Sequence, residues 1–163
     1  ELVLLQAGGR YDVFFAGGMQ IDAHGNANLV GPPGVRGPGP AGGPLGTCVD
    51  RTILYTANHD RRTFVPDVAQ VSLAGWGTGD NQGAPSLVVT PLAVLDFVDG
   101  QMRLAATLGD ADAAAVQEAT GFQLRLPPEG VAPAPPPDAD LLKRLRALDD
   151  GGLLLRDEGQ TVR

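Results

Sequence analysis

Residues 13–46 read VFFAGGMQIDAHGNANLVGPPGVRGPGPAGGPLG, an apolar run that stops on two glycines and passes into a loop built mostly of glycine and proline. Residues 13–16 have the composition of a buried strand, and Gly17-Gly18 marks its end. GNAN at 25–28 reads as a polar turn, in which Asn26 and Asn28 serve the backbone. Glycines as dense as those that follow cost backbone entropy. They are useful where a chain must take positive φ or come very close to a ligand. The prolines between them fix φ, so the loop is expected to be shaped rather than slack.

On either side, the 163-residue chain has one domain's worth of sequence and is long enough to bury a core. A hydrophobic content of 43% with a mean hydropathy near zero fits a soluble globular protein. The 23 glycines and 14 prolines point to a loop-rich α/β or β-rich chain. A net charge of −7 argues against a general nucleic-acid surface, which needs a basic patch. The single cysteine, Cys48, excludes an internal disulfide and reads as a small buried side chain. No stretch has the apolar length of a membrane span and none resembles a signal peptide, so the cytoplasm is the expected compartment.

Along the chain, residues 2–6 are expected to finish a helix that stops at Gly8-Gly9. Strands are predicted at 52–56 (TILYT), 68–73, 87–90, 93–98, 102–108 and 122–126, with Asp99-Gly100 as a hairpin turn. Residues 110–120 read as a helix with an Asp start and Gly121 at its stop. The proline-rich stretch 127–137 reads as a strap separating the main domain, 1–126, from a C-terminal helix and tail at 138–163. Asp138 caps that helix, and Leu141, Leu142, Leu145 and Leu148 stand at helical spacing. The expected fold class is α/β: a mostly parallel sheet with flanking helices and an antiparallel edge hairpin.

Several residues carry candidate chemistry. GPGPAG at 37–42 matches G-x-G-x-x-G in letters only. No strand leads into it, and its prolines lack the N–H groups that hold a pyrophosphate. The amides of Gly42 and Gly43 remain, and two adjacent glycine amides can clamp a carbonyl or oxyanion. Gln20 stands just past a strand end, where α/β sheets place ligands. His24 and His59 are the only histidines, and with one cysteine they make a zinc site improbable; no metal is expected. His59, beside Asn58, has acid–base potential if it faces a pocket. Arg51, Arg61 and Arg62 stand close in sequence and are either a solvated group or a contact for a phosphate or a partner.

GGMQIDAHGNAN (17–28) resembles the G-(A/G)-x-Q-(V/I)-(D/S)-x-x-G-(D/N)-x-N segment of the B, or β, subunit of class I coenzyme A transferases, including the glutaconate type. Ala41-Gly42-Gly43, RTILYTANHDRRTFV (51–65) and DAAAVQEATGFQL (112–124) follow in that family's order. The resemblance implies a two-subunit enzyme, active with an α-type partner, that moves coenzyme A between an acyl-CoA and a carboxylate. Coenzyme A thioester is then the substrate, and no resident cofactor is expected. In that reading Gly42 and Gly43 steady the thioester carbonyl, Gln20 orients the acyl group, and Gly17, Gly18, Asn58 and His59 belong to the substrate site. The glycine loop is one residue longer than the family's usual spacing, at Gly39-Pro40-Ala41.

The family's nucleophilic glutamate lies in a segment such as S-E-N-G that precedes this region, and no such segment is present among Glu1, Glu118, Glu129 and Glu158. The expectation is that upstream sequence or a partner supplies it, with the N-terminal part of the fold missing here. GVRG (34–37), N-H-x-x-R-x-F-V (58–65) and LRALDDGGLLLRD (145–157) also resemble the β subunit of the ring-opening hydrolase of steroid degradation, a branch of the same superfamily. A noncatalytic scaffold subunit is the third alternative.

Overall fold

A computed structural model describes residues 4–5, 8–37, 46–78 and 83–149. Six strands form one sheet in the order β1-β4-β5-β6-β7-β8: β1 Val13–Gly17, β4 Arg51–Tyr55, β5 Pro85–Val89, β6 Ala93–Val98, β7 Gln101–Thr107 and β8 Ala132–Pro133. β1, β4 and β5 run parallel, with Gly17 beside Tyr55 and Tyr55 beside Val89, so their C-terminal ends lie level. β6 and β7 return antiparallel, and β8 adds two parallel residues at the far edge. A separate ribbon pairs β2 (Gln20–Ile21) with β3 (Ala27–Asn28). Helix α1 covers Ala113–Ala119 and helix α2 covers Ala139–Leu148. This is the mostly parallel α/β sheet with an antiparallel hairpin that the sequence indicates.

Alternation along the strands sorts the side chains. Ala16, Leu54, Val88, Leu95, Met102 and Leu104 point to one face and are buried. That face is closed by Ile21, Ala27, Phe64, Leu73, Val116 and Leu124, supplied by the β2–β3 ribbon, the 60–75 loop, α1 and the segment after it. The opposite face stays open over β1 and β4, where Phe15 is 63% and Tyr55 53% exposed. Among the described residues the stretch 13–16, read as a buried strand, is therefore an edge strand with one covered face. An apolar run alone does not say how many of its faces are covered.

The Asp99-Gly100 turn forms as expected, with φ of 51° and 72°, the two positive values a tight two-residue hairpin requires. α1 begins later than residue 110: Asp112 is its cap, its carboxylate accepting from the Ala115 N–H at 2.8 Å. Two predicted strands are absent from the described residues. Within 68–73 only Leu73 pairs, as an isolated bridge to Ala27. Within 122–126 only Arg125 pairs, to Arg103. Both stretches have strand-like composition but lie as coverings on the core, bonding at single residues instead of along a ladder.

Part of the proline-rich strap becomes the exposed strand β8 along β7. In α2 the Asp138 cap forms, but none of its residues is buried, and Leu141, Leu145 and Leu148 are exposed. At the N-terminus the Gly8 N–H donates to Leu4 O, and Gly9 takes a φ of 65°, in keeping with the expected stop. Among the described residues no helix is long and apolar enough to cross a membrane.

Candidate functional site

A cavity of about 410 Å³ opens at the level C-terminal ends of β1 and β4. Gly17 and Gly18 form one side, Tyr55, Thr56 and Ala57 another, and Met19 and Leu29 complete it. Crevices at the carboxyl ends of parallel strands are where open α/β sheets hold ligands, and this volume suits a small molecule. The two glycines leave backbone facing the cavity. A Cβ built on Gly17 would meet nothing nearer than Tyr55, at 3.9 Å. Among the described residues, none that lines the cavity is charged. The Thr56 hydroxyl is already committed, donating to Asn58 O and accepting from the Asn58 N–H at 3.2 Å each.

A second cavity of about 440 Å³ lies beside the β6–β7 turn, lined by His24, Trp76, Gly77, Asp99 and Gly100. It sits at the other end of the sheet, near the start of β5, where Trp76 Nε1–H donates to Pro85 O. The strand ends there are the amino ends of the parallel set, so the first cavity is the candidate site.

The structure brings Gly17 and Gly18 to the cavity and gives the other expected site residues different surroundings. Gln20 is turned away: its Oε1 accepts from Asn28 Nδ2 at 2.9 Å and from the Ala69 N–H at 3.1 Å. Its amide holds the β2–β3 ribbon to the loop that follows β4. Asn28 is fully buried and completely bonded, its Oδ1 accepting from the Val30 and Gly31 N–H groups and its Nδ2 reaching Gly31 O. Asn26 accepts from the Gly75 N–H and donates to buried Asp22, whose other oxygen takes the N–H groups of His24 and Asn26. Both asparagines do the backbone work expected of them.

Asn58 is exposed on the turn after β4. His59 points into the fold. Its Nδ1 lies 2.8 Å from Thr90 Oγ1, its Nε2 lies 3.1 Å from Thr120 Oγ1, and its ring stacks on Phe64. Burial lowers its pKa to about 4, against a smaller opposing effect of the Asp60 carboxylate. The ring is thus neutral near pH 7 and tied at both nitrogens, a packing histidine. Asp60 itself is held below its usual range, chiefly by the Thr63 N–H. The three arginines find separate settings. Arg51 opens β4, Arg61 Nε–H donates to Glu118 O at the end of α1, and Arg62 makes an exposed pair with Asp60. Gly42 and Gly43 lie outside the described residues.

Sequence reasoning missed Met19, Leu29, Tyr55, Thr56 and Ala57. The usable signal was an aromatic at the last position of the TILY run, next to a strand that also ends at a glycine pair. It becomes informative only once β1 and β4 are known to be parallel neighbours.

Comparison with known proteins agrees with the fold. No family model matches the chain. The chain is 29% identical over 157 residues to the B-type subunit of 3-oxoadipate CoA-transferase from Pseudomonas knackmussii, covering 87% of this chain and 60% of the relative. It is 30% identical over 156 residues to the B-type subunit of glutaconate CoA-transferase from Acidaminococcus fermentans, covering 86% of this chain and 58% of that one. The crystal structure of the latter enzyme superposes with a TM-score of 0.76 at 29% identity, covering 89% of this chain and 61% of the other. The fold is that of a B-type class I coenzyme A transferase chain.

The chain spans about 60% of the length of the curated B-type chains it matches. The same fold also superposes on the decarboxylase AibA/AibB, with a TM-score of 0.79 at 28% identity over 93% of this chain and 63% of the other.

Proposed function

We propose that this chain is a B-type subunit of a class I coenzyme A transferase, with the cavity at the ends of β1 and β4 receiving the acyl portion of a coenzyme A thioester. The observation that carries this reading is the backbone-lined, uncharged cleft at Gly17-Gly18, at the sheet edge where α/β folds place ligands. It lies within the very segment, GGMQIDAHGNAN, that resembles the B-type chains of the transferases. The substrates are an acyl-CoA and a free carboxylate, and an α-type subunit is the partner.

In transfer, a carboxylate nucleophile attacks the thioester carbonyl, releasing the thiolate and leaving an acyl anhydride. The thiolate then attacks the anhydride at the enzyme's carboxyl carbon, forming an enzyme thioester and freeing the acyl carboxylate. Among the described residues, Glu118 stands on α1 and Glu129 in the strap, and neither lines the cleft. The nucleophile therefore comes from outside the described residues. This chain's contribution is an uncharged, shaped wall that positions the acyl group.

The test is an exchange assay on the chain with its α-type partner, following label from acyl-CoA to a second carboxylate and trapping the enzyme thioester with borohydride. Label transfer with a trapped thioester supports the reading; thioester loss without transfer overturns it. The likeness to a decarboxylase favours a second reading, since one scaffold can host several chemistries. Release of carbon dioxide from a carboxylated acyl-CoA, without exchange, is its signature. Ring-opening hydrolysis of a cyclic acyl-CoA stays an alternative that the motifs at 34–37 and 58–65 support, and hydrolytic C–C cleavage without label transfer is its signature.

A further inference from the structure

The chemistry of the cleft wall speaks to which acyl groups it can hold. Met19 and Leu29 give it aliphatic and thioether surface, Gly17, Gly18 and Ala57 give backbone and a methyl, and Tyr55 gives an aromatic ring with a hydroxyl. The Thr56 hydroxyl is used within the turn, which leaves the Tyr55 hydroxyl as the polar side-chain group the lining offers among the described residues. No lysine, arginine or histidine among the described residues lines the cavity. A carboxylate brought against Met19 and Leu29 would lose its water with no cation to receive it, a costly transfer. An alkyl or aryl chain placed there gains by burial.

Resting on the reading of this cleft as the acyl site, we infer that it selects coenzyme A esters of uncharged, apolar acids over esters of dicarboxylic acids. Met19 and Leu29 are the specificity-determining side chains. This sets the chain apart from relatives named for glutaconate and 3-oxoadipate, both dicarboxylates. Arg36 is the cation that could oppose the inference. It is exposed on the loop after Leu29, next to Gly37, which packs close to the Met19 sulfur.

The experiment is calorimetric titration of the chain in complex with its α-type partner, using hexanoyl-CoA, glutaryl-CoA and free coenzyme A, repeated for Met19→Arg and Arg36→Ala. Hexanoyl-CoA is expected to bind tighter than glutaryl-CoA by about tenfold or more. Met19→Arg should reverse or erase that ratio, because it supplies the missing cation. Met19 is partly exposed, and thermal unfolding reports whether the variant retains the fold. Equal or tighter binding of glutaryl-CoA by the wild type overturns the inference, and its loss in Arg36→Ala would identify Arg36 as the carboxylate's partner. An unchanged ratio in a folded Met19→Arg also overturns it. Failure of every coenzyme A ester to bind instead removes the reading beneath it, and the inference with it.

Discussion

His59 lies flat on Phe64, ring centroids 4.3 Å apart and planes 21° from parallel, with a threonine hydroxyl at each ring nitrogen. Thr120 gives its hydroxyl proton to Val116 O at 2.7 Å, whereas the Thr90 hydroxyl is only 3.2 Å from Ala93 O. The neutral ring is best satisfied with Nε2–H donating to Thr120 and Nδ1 accepting from Thr90. The folded pKa of about 4 lies below the ordinary 6.5, so the unfolded chain binds the extra proton between those values. Stability from this histidine is present above pH 6.5 and lost as pH falls through about 4. The expected outcome is a Tm that drops over that interval, with a shallower drop in His59→Gln. Parallel Tm–pH curves for the two proteins would contradict it.

Asn28 is buried with all four of its amide hydrogen-bonding positions filled, two by backbone N–H groups at the entrance to the glycine loop. Asn28→Ala strands those donors and takes the Nδ2 donor from Gly31 O and one of two donors from Gln20 Oε1, and is expected to cost about 2–4 kcal/mol. Asn28→Asp keeps the acceptor for the two N–H groups but sets a buried carboxylate oxygen against Gln20 Oε1 and Gly31 O, and should cost at least as much. Urea unfolding reads both, and a wild-type midpoint for Asn28→Ala would refute the account.

Gly121 brings its backbone against Phe64, its N–H donating to Phe64 O at 2.9 Å. A Cβ added there would collide with that same carbonyl oxygen. Gly121→Ala is expected to destabilise by about 1–3 kcal/mol, as overpacking does. Gly17→Ala, whose Cβ would make only ordinary contact with Tyr55 at 3.9 Å, serves as the near-neutral control. Equal Tm values for the two variants would show that the approach relaxes freely.

Gly17→Leu tests the cleft itself. Its Cβ would have Tyr55 as nearest neighbour, at 3.9 Å, and the branched side chain beyond it adds bulk at the cavity wall. Binding of coenzyme A esters should weaken by about tenfold or more while Tm stays at the wild-type value. Unaltered affinity in this variant would move the acyl site elsewhere on the chain.

What the sequence by itself determined is local. A short apolar run, an Asp-Gly turn and an Asp before an alanine-rich helix act within a few residues, and β1, the 99–100 turn and α1 all follow from them. The glycine pair at the candidate site was legible for the same reason, since Gly17-Gly18 ends a strand and the surrounding motif resembles one family. Only the tertiary structure decided which residues share the cleft. Met19 and Leu29 meet across the β2–β3 ribbon, and Tyr55 joins them because β1 and β4 pair in parallel across 33 intervening residues between Gly17 and Arg51, a range that leaves no trace in local pattern. The same long-range packing turned His59 inward between Thr90 and Thr120, 31 and 61 residues away. A histidine's role depends on what desolvates it and which groups meet its nitrogens, and here both come from distant parts of the chain.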